Sequence, residues 1–495
     1  MMSYQQNSPW PHRAASWALT GVAALVLAAC ASSAGIAPST QPVNAAALGL
    51  PVGGAESGSA LVPAKWWLAW GDADLSDLMA RALAGHPSLQ VAQARLAKAG
   101  AGVAGEQGSA GPKLSANADA TRQHFSANSI YPAPLGGSTR TLGNAQFAGS
   151  WEIDFFGRHR ASLDAALGAQ RAAQADLAAA RNVLTSQMGQ SYVQLARLLA
   201  QREVAERTLA QREQMLGLIR QRVSAGLDTQ VELRQGEGAL PDTRQQIEQI
   251  NEQITSVRNA LAALAGMAPH SLAALKPALP SDQRLALPGN LPANLLGNRA
   301  DIVAARWRIE AATLGVQAAK AQFYPNVNLT AFAGLSSIGL GNLVEAGSRQ
   351  YGVGPAFHLP IFDAGSLRAN LSGKAADVDA AVAAYTGAVT EAVRETADQL
   401  DSLRSVARQR HEQALAQAAA ESAYDFARQR YGAGLSGYIT LLNAKSAVLA
   451  QRRQAVDLQA RALSAQVGLM RALGGGYAPD LPAAPVPSVA VTAQR

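Results

Sequence analysis

A single cysteine in 495 residues excludes an internal disulfide framework and a thiolate metal site. Charged side chains are sparse, at 16%, and no run of five or six like charges occurs. The excess of 42 basic over 35 acidic residues therefore fits solvated helix faces rather than a nucleic-acid arm. With 48% hydrophobic residues the chain is too apolar, and too weakly charged, to be disordered. Forty-four glycines without a three-residue period exclude collagen. The seven histidines are scattered, with no H-E-x-x-H spacing, and no G-x-S-x-G elbow is present. Gly100, Gly102 and Gly105 fit G-x-G-x-x-G, with Asp119 downstream. They follow a helical pattern and precede a strand, the reverse of a dinucleotide fold. Neither an enzyme nor a cofactor is expected, and a soluble NAD-dependent enzyme is the weakest of the readings. Proline is missing from 158–224 and again from 366–433.

Long apolar runs are also missing. The run from Trp17 to Ala29 falls short of the about 20 residues that span a bilayer, but suits a secretory signal. No acid precedes it, and His12 and Arg13 lie just before it. It closes on Leu27-Ala28-Ala29-Cys30, which resembles a bacterial lipobox, with cleavage before Cys30 and lipid on the new N-terminus. Ala31 stands where Asp is the usual inner-membrane retention signal, which favours the outer membrane. The organisation expected is a signal peptide at 1–29 and a lipidated, flexible tether at 30–60, rich in Ala, Ser, Gly and Pro. A first repeat at 61–270, a linker at 271–292, a second repeat at 293–475 and a tail at 476–495 follow.

The repeat is internal. Gly157 and Gly365 are 208 residues apart, in Phe155-Phe156-Gly157 and Ile361-Phe362-Asp363-Ala364-Gly365. Gly226 and Gly434 keep the same offset, in two Gln-Arg…Ala-Gly-Leu segments. Tyr192 and Leu195 match Leu400 and Leu403. Each half carries two alternating segments. Leu114, Ala116, Ala118 and Ala120 face one way, and Ala145, Phe147, Trp151, Ile153 and Phe155 follow. In the second half, Val327, Leu329 and Ala331 precede Tyr351, Val353, Phe357, Leu359 and Ile361. Each reads as a strand with one apolar and one polar face, long enough to cross an outer membrane when tilted. A soluble sandwich is the alternative. Long helical patterns fill 158–224 and 366–433, about 100 Å each, with returns from Thr229 to Leu264 and Tyr438 to Leu473. An earlier helix runs from Asp74 to about Lys98, broken near Gly85-His86-Pro87. Pro241 should kink the first return.

Four strands cannot close a barrel, and an open edge in lipid leaves peptide groups unpaired. Oligomerisation is required, with eight strands from two copies or twelve from three.

The lipobox, Trp66-Trp67, the duplicated unit and the Gly-Leu turns resemble the TolC-like outer-membrane factors, in their NodT-type efflux lipoprotein branch. Trp151-Glu152-Ile153-Asp154-Phe155-Phe156-Gly157, Ala319-Lys320-Ala321-Gln322-Phe323-Tyr324-Pro325-Asn326 and Asn298-Arg299-Ala300-Asp301-Ile302 resemble its motifs, with Ala300 where the family usually has Pro. The resemblance spans residues 60–475. It implies an α+β membrane protein: a trimeric 12-stranded outer-membrane β-barrel, continued by a long periplasmic α-helical barrel with an equatorial collar. It also implies a periplasmic membrane-fusion adaptor and an inner-membrane RND-type pump as partners, outer-membrane lipids around the barrel, and palmitate or a similar acyl chain on Cys30. Adaptor-contact tips would be Arg222, Gly226 and Leu227, and Arg430, Gly434 and Leu435. The aperture positions match Ile439 and Asn443. The family often has Asp at the latter, so the first-tip acids Asp228 and Glu232 are alternative aperture charges unless Arg234 pairs with one of them. The function implied is a passive efflux duct gated at its tip. A stand-alone porin or structural lipoprotein is the alternative.

Overall fold

The computed structural model describes residues 32–43, 63–128, 130–280, 299–363 and 365–477. Cys30, the signal segment and the tail beyond Tyr477 lie outside them. A short 3-10 turn, Trp66–Trp70, leads into α1 (Ala73–Gly85) and α2 (Pro87–Ala110). Strands β1 (Lys113–His124) and β2 (Thr139–Ile153) precede α3 (Arg158–Ser224) and α4 (Gln230–Leu264). Then come α5 (Ala300–Ala321), β3 (Asn326–Ile338), β4 (Arg349–His358), α6 (Ser366–Gly432) and α7 (Tyr438–Ala472). No described helix is long and apolar enough to cross a membrane.

The duplication is exact at the helix ends. Helices α3 and α6 have 67 residues each, α4 and α7 have 35 each, and every boundary is offset by 208. The same offset relates the left-handed glycines Gly266 and Gly474, beyond the reach of the sequence match.

Contacts divide the chain into two units. One holds residues 32–42, Ala97–Ala172 and Ala305–Tyr385. Its sheet is antiparallel throughout, in the order β1-β2-β3-β4, so the two halves of the duplication meet at β2 and β3. Register sorts the side chains by face. Leu114, Phe147, Ala333 and Tyr351 share one face with Trp151, Leu329, Val353 and Phe357. This apolar face runs without a charge from the row of Ile153 to the row of Phe147, about 20 Å of strand at 3.4 Å per residue, and Arg349 enters it one row further on, opposite Leu335. The opposite face is polar. There Asn144 donates to Asp119 at 3.1 Å, and Gln350 donates to Asn144 at 2.9 Å and Gln146 at 3.2 Å.

Two strands stop earlier than their alternation suggests. β2 ends at Ile153 because Asp154 turns to accept from the Arg160 amide at 2.9 Å, so Phe155 leaves the sheet. β4 ends at His358, since Pro360 has no amide to pair and Asp363 accepts from the Leu367 amide at 2.6 Å. Leu359 and Ile361 therefore lie outside the strand. α2 continues past Lys98 to Ala110, so Gly100 to Gly105 are helix interior rather than a phosphate loop.

The other unit holds 63–96, 173–280, 299–304 and 386–477. Its main core gathers Trp66, Trp67, Trp70, Leu75, Met79, Met188, Leu195 and Leu261. Trp66 packs edge-on to Trp67 and Trp70, with centroids 5.8 and 5.6 Å away. Gly189 lets the Trp66 ring reach the α3 backbone, because a β-carbon there would sit 2.7 Å from the ring. Asp72 caps α1 through the Leu75 amide and accepts from the Tyr192 hydroxyl at 2.6 Å. Buried Arg299 ties the start of α5 to Asp301, Glu395 and the Ala472 carbonyl. Ala300 occupies the first helical position, where a proline would fit without losing a bond.

Candidate functional site: the paired helix turns

The turns α3–α4 and α6–α7 are built alike. Leu227 N–H donates to the Arg222 carbonyl and Gly226 N–H to the Val223 carbonyl, at 2.8 and 3.0 Å. Leu435 and Gly434 repeat this with Arg430 and Tyr431 at the same distances. This double bond pattern closes a helix end through a left-handed residue. Gly226 and Gly434 take φ of 75° and 74°, which explains glycine at both places. The geometry leaves Leu227 and Leu435 projecting, at 65% and 68% exposure. Arg430 is exposed beside them.

Arg222 is held differently from Arg430. It donates through Nε and Nη2 to Asp228 at 3.0 and 3.2 Å, and its guanidinium lies 4.5 Å over the Tyr431 ring. The Tyr431 hydroxyl, buried, donates to the same carboxylate at 2.7 Å. Asp228 therefore joins the first turn to the second. Burial alone would raise its pKa, but the bonds from Arg222 and Tyr431 outweigh burial and hold it below the usual carboxylate range. The Tyr431 hydroxyl is pushed up by burial and by its bond to Asp228. A cluster of Ile219, Ala427, Tyr438 and Leu441 packs beneath this junction.

The other acid of the first turn is also engaged. Glu232 accepts from the Thr229 amide at 2.9 Å and from its hydroxyl, while Thr229 Oγ1 accepts from the Val231 amide. This reciprocal cap starts α4. Arg234 pairs with Glu237 at 2.8 Å, not with either acid. Asp228 and Glu232 thus both act as hydrogen-bond acceptors at the turns, and Arg234 neutralises neither. Pro241 lies within an unbroken α4, where Arg212 and Thr243 both donate to the Ala239 carbonyl at 2.8 and 2.7 Å.

Ile439 and Asn443 lie one turn apart at the start of α7, both exposed, while Tyr438 and Leu441 point into the cluster. Lys445 follows on the same helix, 4.3 Å over the Tyr424 ring. Burial, then the nearby Arg452 and Arg428, lower its pKa to about 8. Among the described residues no group of three or more His, Cys, Asp or Glu is placed to hold a metal ion.

The outer membrane efflux protein family model matches residues 78–267 and 291–475. The chain belongs to that family. The Burkholderia cepacia fusaric acid resistance protein FusA is 35% identical over 365 residues, 72% of this chain and 68% of the relative. The putative multidrug resistance outer membrane protein MdtQ of Escherichia coli K12 is 31% identical over 421 residues, 83% and 88% of the two chains. The crystal structure of the outer membrane protein VceC from Vibrio cholerae aligns with a TM-score of 0.78 at 34% identity, covering 84% of this chain and 99% of VceC. The chain is thus a TolC-like efflux protein of the outer membrane.

Two motifs of this efflux protein meet at the base of the sheet. Phe156 stacks on Tyr324 at 4.9 Å with planes 10° apart. Glu152 receives Arg158 through both oxygens, at 3.0 and 2.6 Å. A cavity of about 330 Å³ lies between Glu152, Asn326, His358 and Leu367, so the strand ends and the α6 start adjoin one another. Sequence reasoning did not find Tyr431, Lys445 or the bridging role of Asp228. The signal was present. Tyr431 corresponds to Val223 and Asp228 to Ser436 under the 208-residue offset, so the two repeats differ at both partners of the bond.

Proposed function

We propose that the chain is the outer-membrane exit duct of a tripartite RND-type efflux system. Three copies would join their sheets into a twelve-stranded barrel with the apolar face toward lipid and the polar face lining the lumen. The long helices would continue it into the periplasm. The observation that carries this reading is the four-stranded sheet with one apolar face, uncharged from the row of Ile153 to that of Phe147, and two edge strands, β1 and β4, that have no partner strand within the described chain. In lipid such edges must be paired, and β4 of one copy can pair with β1 of the next.

Conduction is passive, with drugs or other small toxic compounds leaving the periplasm, and energy enters at the inner-membrane pump. No catalytic step is assigned to the chain. The two turns form the periplasmic tip. Leu227 and Leu435, with Arg222, Arg430, Gly226 and Gly434, form the surface for a periplasmic membrane-fusion adaptor. Ile439 and Asn443 line the aperture as an apolar ring and an amide ring. The Arg222–Asp228–Tyr431 junction holds the resting tip, and adaptor binding selects the open state by favouring it over the closed one. Cys30 carries the lipid anchor.

Light scattering on the detergent-extracted protein tests the assembly, with a threefold protomer mass expected and a monomer overturning it. Resistance measured with and without the adaptor and pump genes tests the pathway. A compound flux that needs neither partner would instead favour the stand-alone porin.

A further inference from the structure

Residues 32–43, expected as part of a flexible tether, are docked. Ser39 and Thr40 each give both backbone N–H and hydroxyl to one carboxylate, Asp379 of α6. The Ser39 amide, Thr40 amide and Thr40 hydroxyl reach Oδ1 at 2.8, 2.9 and 2.7 Å, and the Ser39 hydroxyl reaches Oδ2 at 2.9 Å. Four donors on one carboxylate are charge-assisted bonds. They hold Asp379 down to about 2, the Thr40 hydroxyl foremost, then its amide and the Ser39 hydroxyl. Eleven residues earlier, which is about three helical turns and so the same face, Arg368 donates to the carbonyls of Ser32 and Ala34. Between the two contacts Ile36 packs against the cluster of Ile309, Val316, Leu371 and Val378. The segment is thus held at both ends and in the middle, running along α6 in the same direction as the helix.

We propose that Asp379 and Arg368 form a docking site for the chain's own N-terminal segment, and that this clamp sets where the Cys30 acyl chain enters the membrane. The second clause rests on the lipoprotein reading of Cys30. Two residues reach at most about 7 Å from Ser32, so the acyl chain starts close to Arg368. The neighbouring Leu367 lines the cavity bounded by Glu152, Asn326 and His358 at the strand ends. Those ends carry Ile153, Val327 and Phe357, the first row of the apolar face. Lipid attached there meets the bilayer at the level where the sheet becomes apolar. Residues 32–40 are then a fixed spacer rather than a free leash.

Hydrogen–deuterium exchange on the full-length protein in detergent tests the clamp. Slow exchange is expected at Ser39 and Thr40, at least tenfold faster in Asp379→Ala and intermediate in Asp379→Asn, with the α3–α4 turn unchanged. Ser39→Ala/Thr40→Ala leaves the body intact, removes the two hydroxyl donors and keeps the two amide donors, so its exchange should fall between the parent and Asp379→Ala. Equal exchange in all variants overturns the clamp. A photoreactive palmitate analogue fed to cells tests the position. Its cross-links should fall on peptides containing 151–157 and 357–368, and spread in Asp379→Ala. Failure to label Cys30, with the segment still protected, overturns the lipid reading and the entry point but leaves the clamp standing.

Discussion

The Tyr431 hydroxyl donates to Asp228 at 2.7 Å, and the two residues stand in different copies of the duplicated unit. Neither has its own counterpart elsewhere, because Val223 and Ser436 occupy the matching places. A duplicated chain would otherwise present two equal turns. This bond, with Arg222 on the same carboxylate, joins them above the cluster that Ile219 shares with Ala427, Tyr438 and Leu441.

Tyr431→Phe removes one bond and keeps the ring over which Arg222 lies, so the loss is about 1 kcal/mol. Asp228→Ala does more, since it removes the acceptor shared by Arg222 and Tyr431. In planar bilayers both variants should leak more than the parent in the absence of adaptor, with Asp228→Ala the leakier. Parental conductance in Asp228→Ala would mean that the junction does not control the aperture.

The same carboxylate gives the tip a pH dependence. Its folded pKa lies below the ordinary 3.8. A depressed carboxylate stabilises the folded form above the unfolded value, and that contribution is lost as pH falls through the folded value. Leak conductance should therefore be flat at neutral pH and rise as pH falls below about 3.8. Asp228→Asn should remove that component while leaving any other acid transition in place. An unchanged acid rise in Asp228→Asn would place its origin elsewhere.

Much of the architecture is legible in the sequence, and for one reason. Period-two and helical patterns depend on neighbouring residues, and the 208-residue offset lets each half check the other. The helices 158–224 and 366–432 emerge within one residue of their bounds. The strand ends do not, because Asp154 and Asp363 leave the sheet to cap helices, and alternation says nothing of capping. The Asp228 and Asp379 contacts are the least legible. They join residues 203 and 340 positions apart, for which composition and spacing carry no signal. The one clue to Asp228 is a departure from the repeat, with Ser436 at the matching place.

The tip glycines separate backbone from surface. At Gly226 and Gly434 no atom lies within 4 Å of a β-carbon, so alanine there meets strain and not a clash. The positive φ costs about 1–2 kcal/mol per substitution. Gly217, within α3 and equally unobstructed, is the control, since alanine favours a helix interior by about 1 kcal/mol. Hydrogen exchange at the tip should speed up in Gly226→Ala and Gly434→Ala and slow down in Gly217→Ala. Stable tips in the first two would contradict the left-handed turn.

Leu227 and Leu435 are the sharpest test of the tip as a docking surface. Each is held outward by its own N–H, bonded back to an arginine carbonyl five residues earlier, so its exposure follows from the closure of the helix end. Serine keeps that N–H, and the turn should survive Leu227→Ser/Leu435→Ser with unchanged melting of the protein. Burying a leucine against a partner contributes about 1.5–3 kcal/mol, so losing either should weaken adaptor binding tenfold or more, and the pair further still. Biolayer interferometry with purified adaptor measures this directly, and resistance in complemented cells should fall in the same order. The junction beneath is untouched by these changes, so leak without adaptor should stay at the parental level. Normal adaptor affinity in the double variant would move the contact away from the turns. Increased leak would mean that the leucines belong to the closure itself.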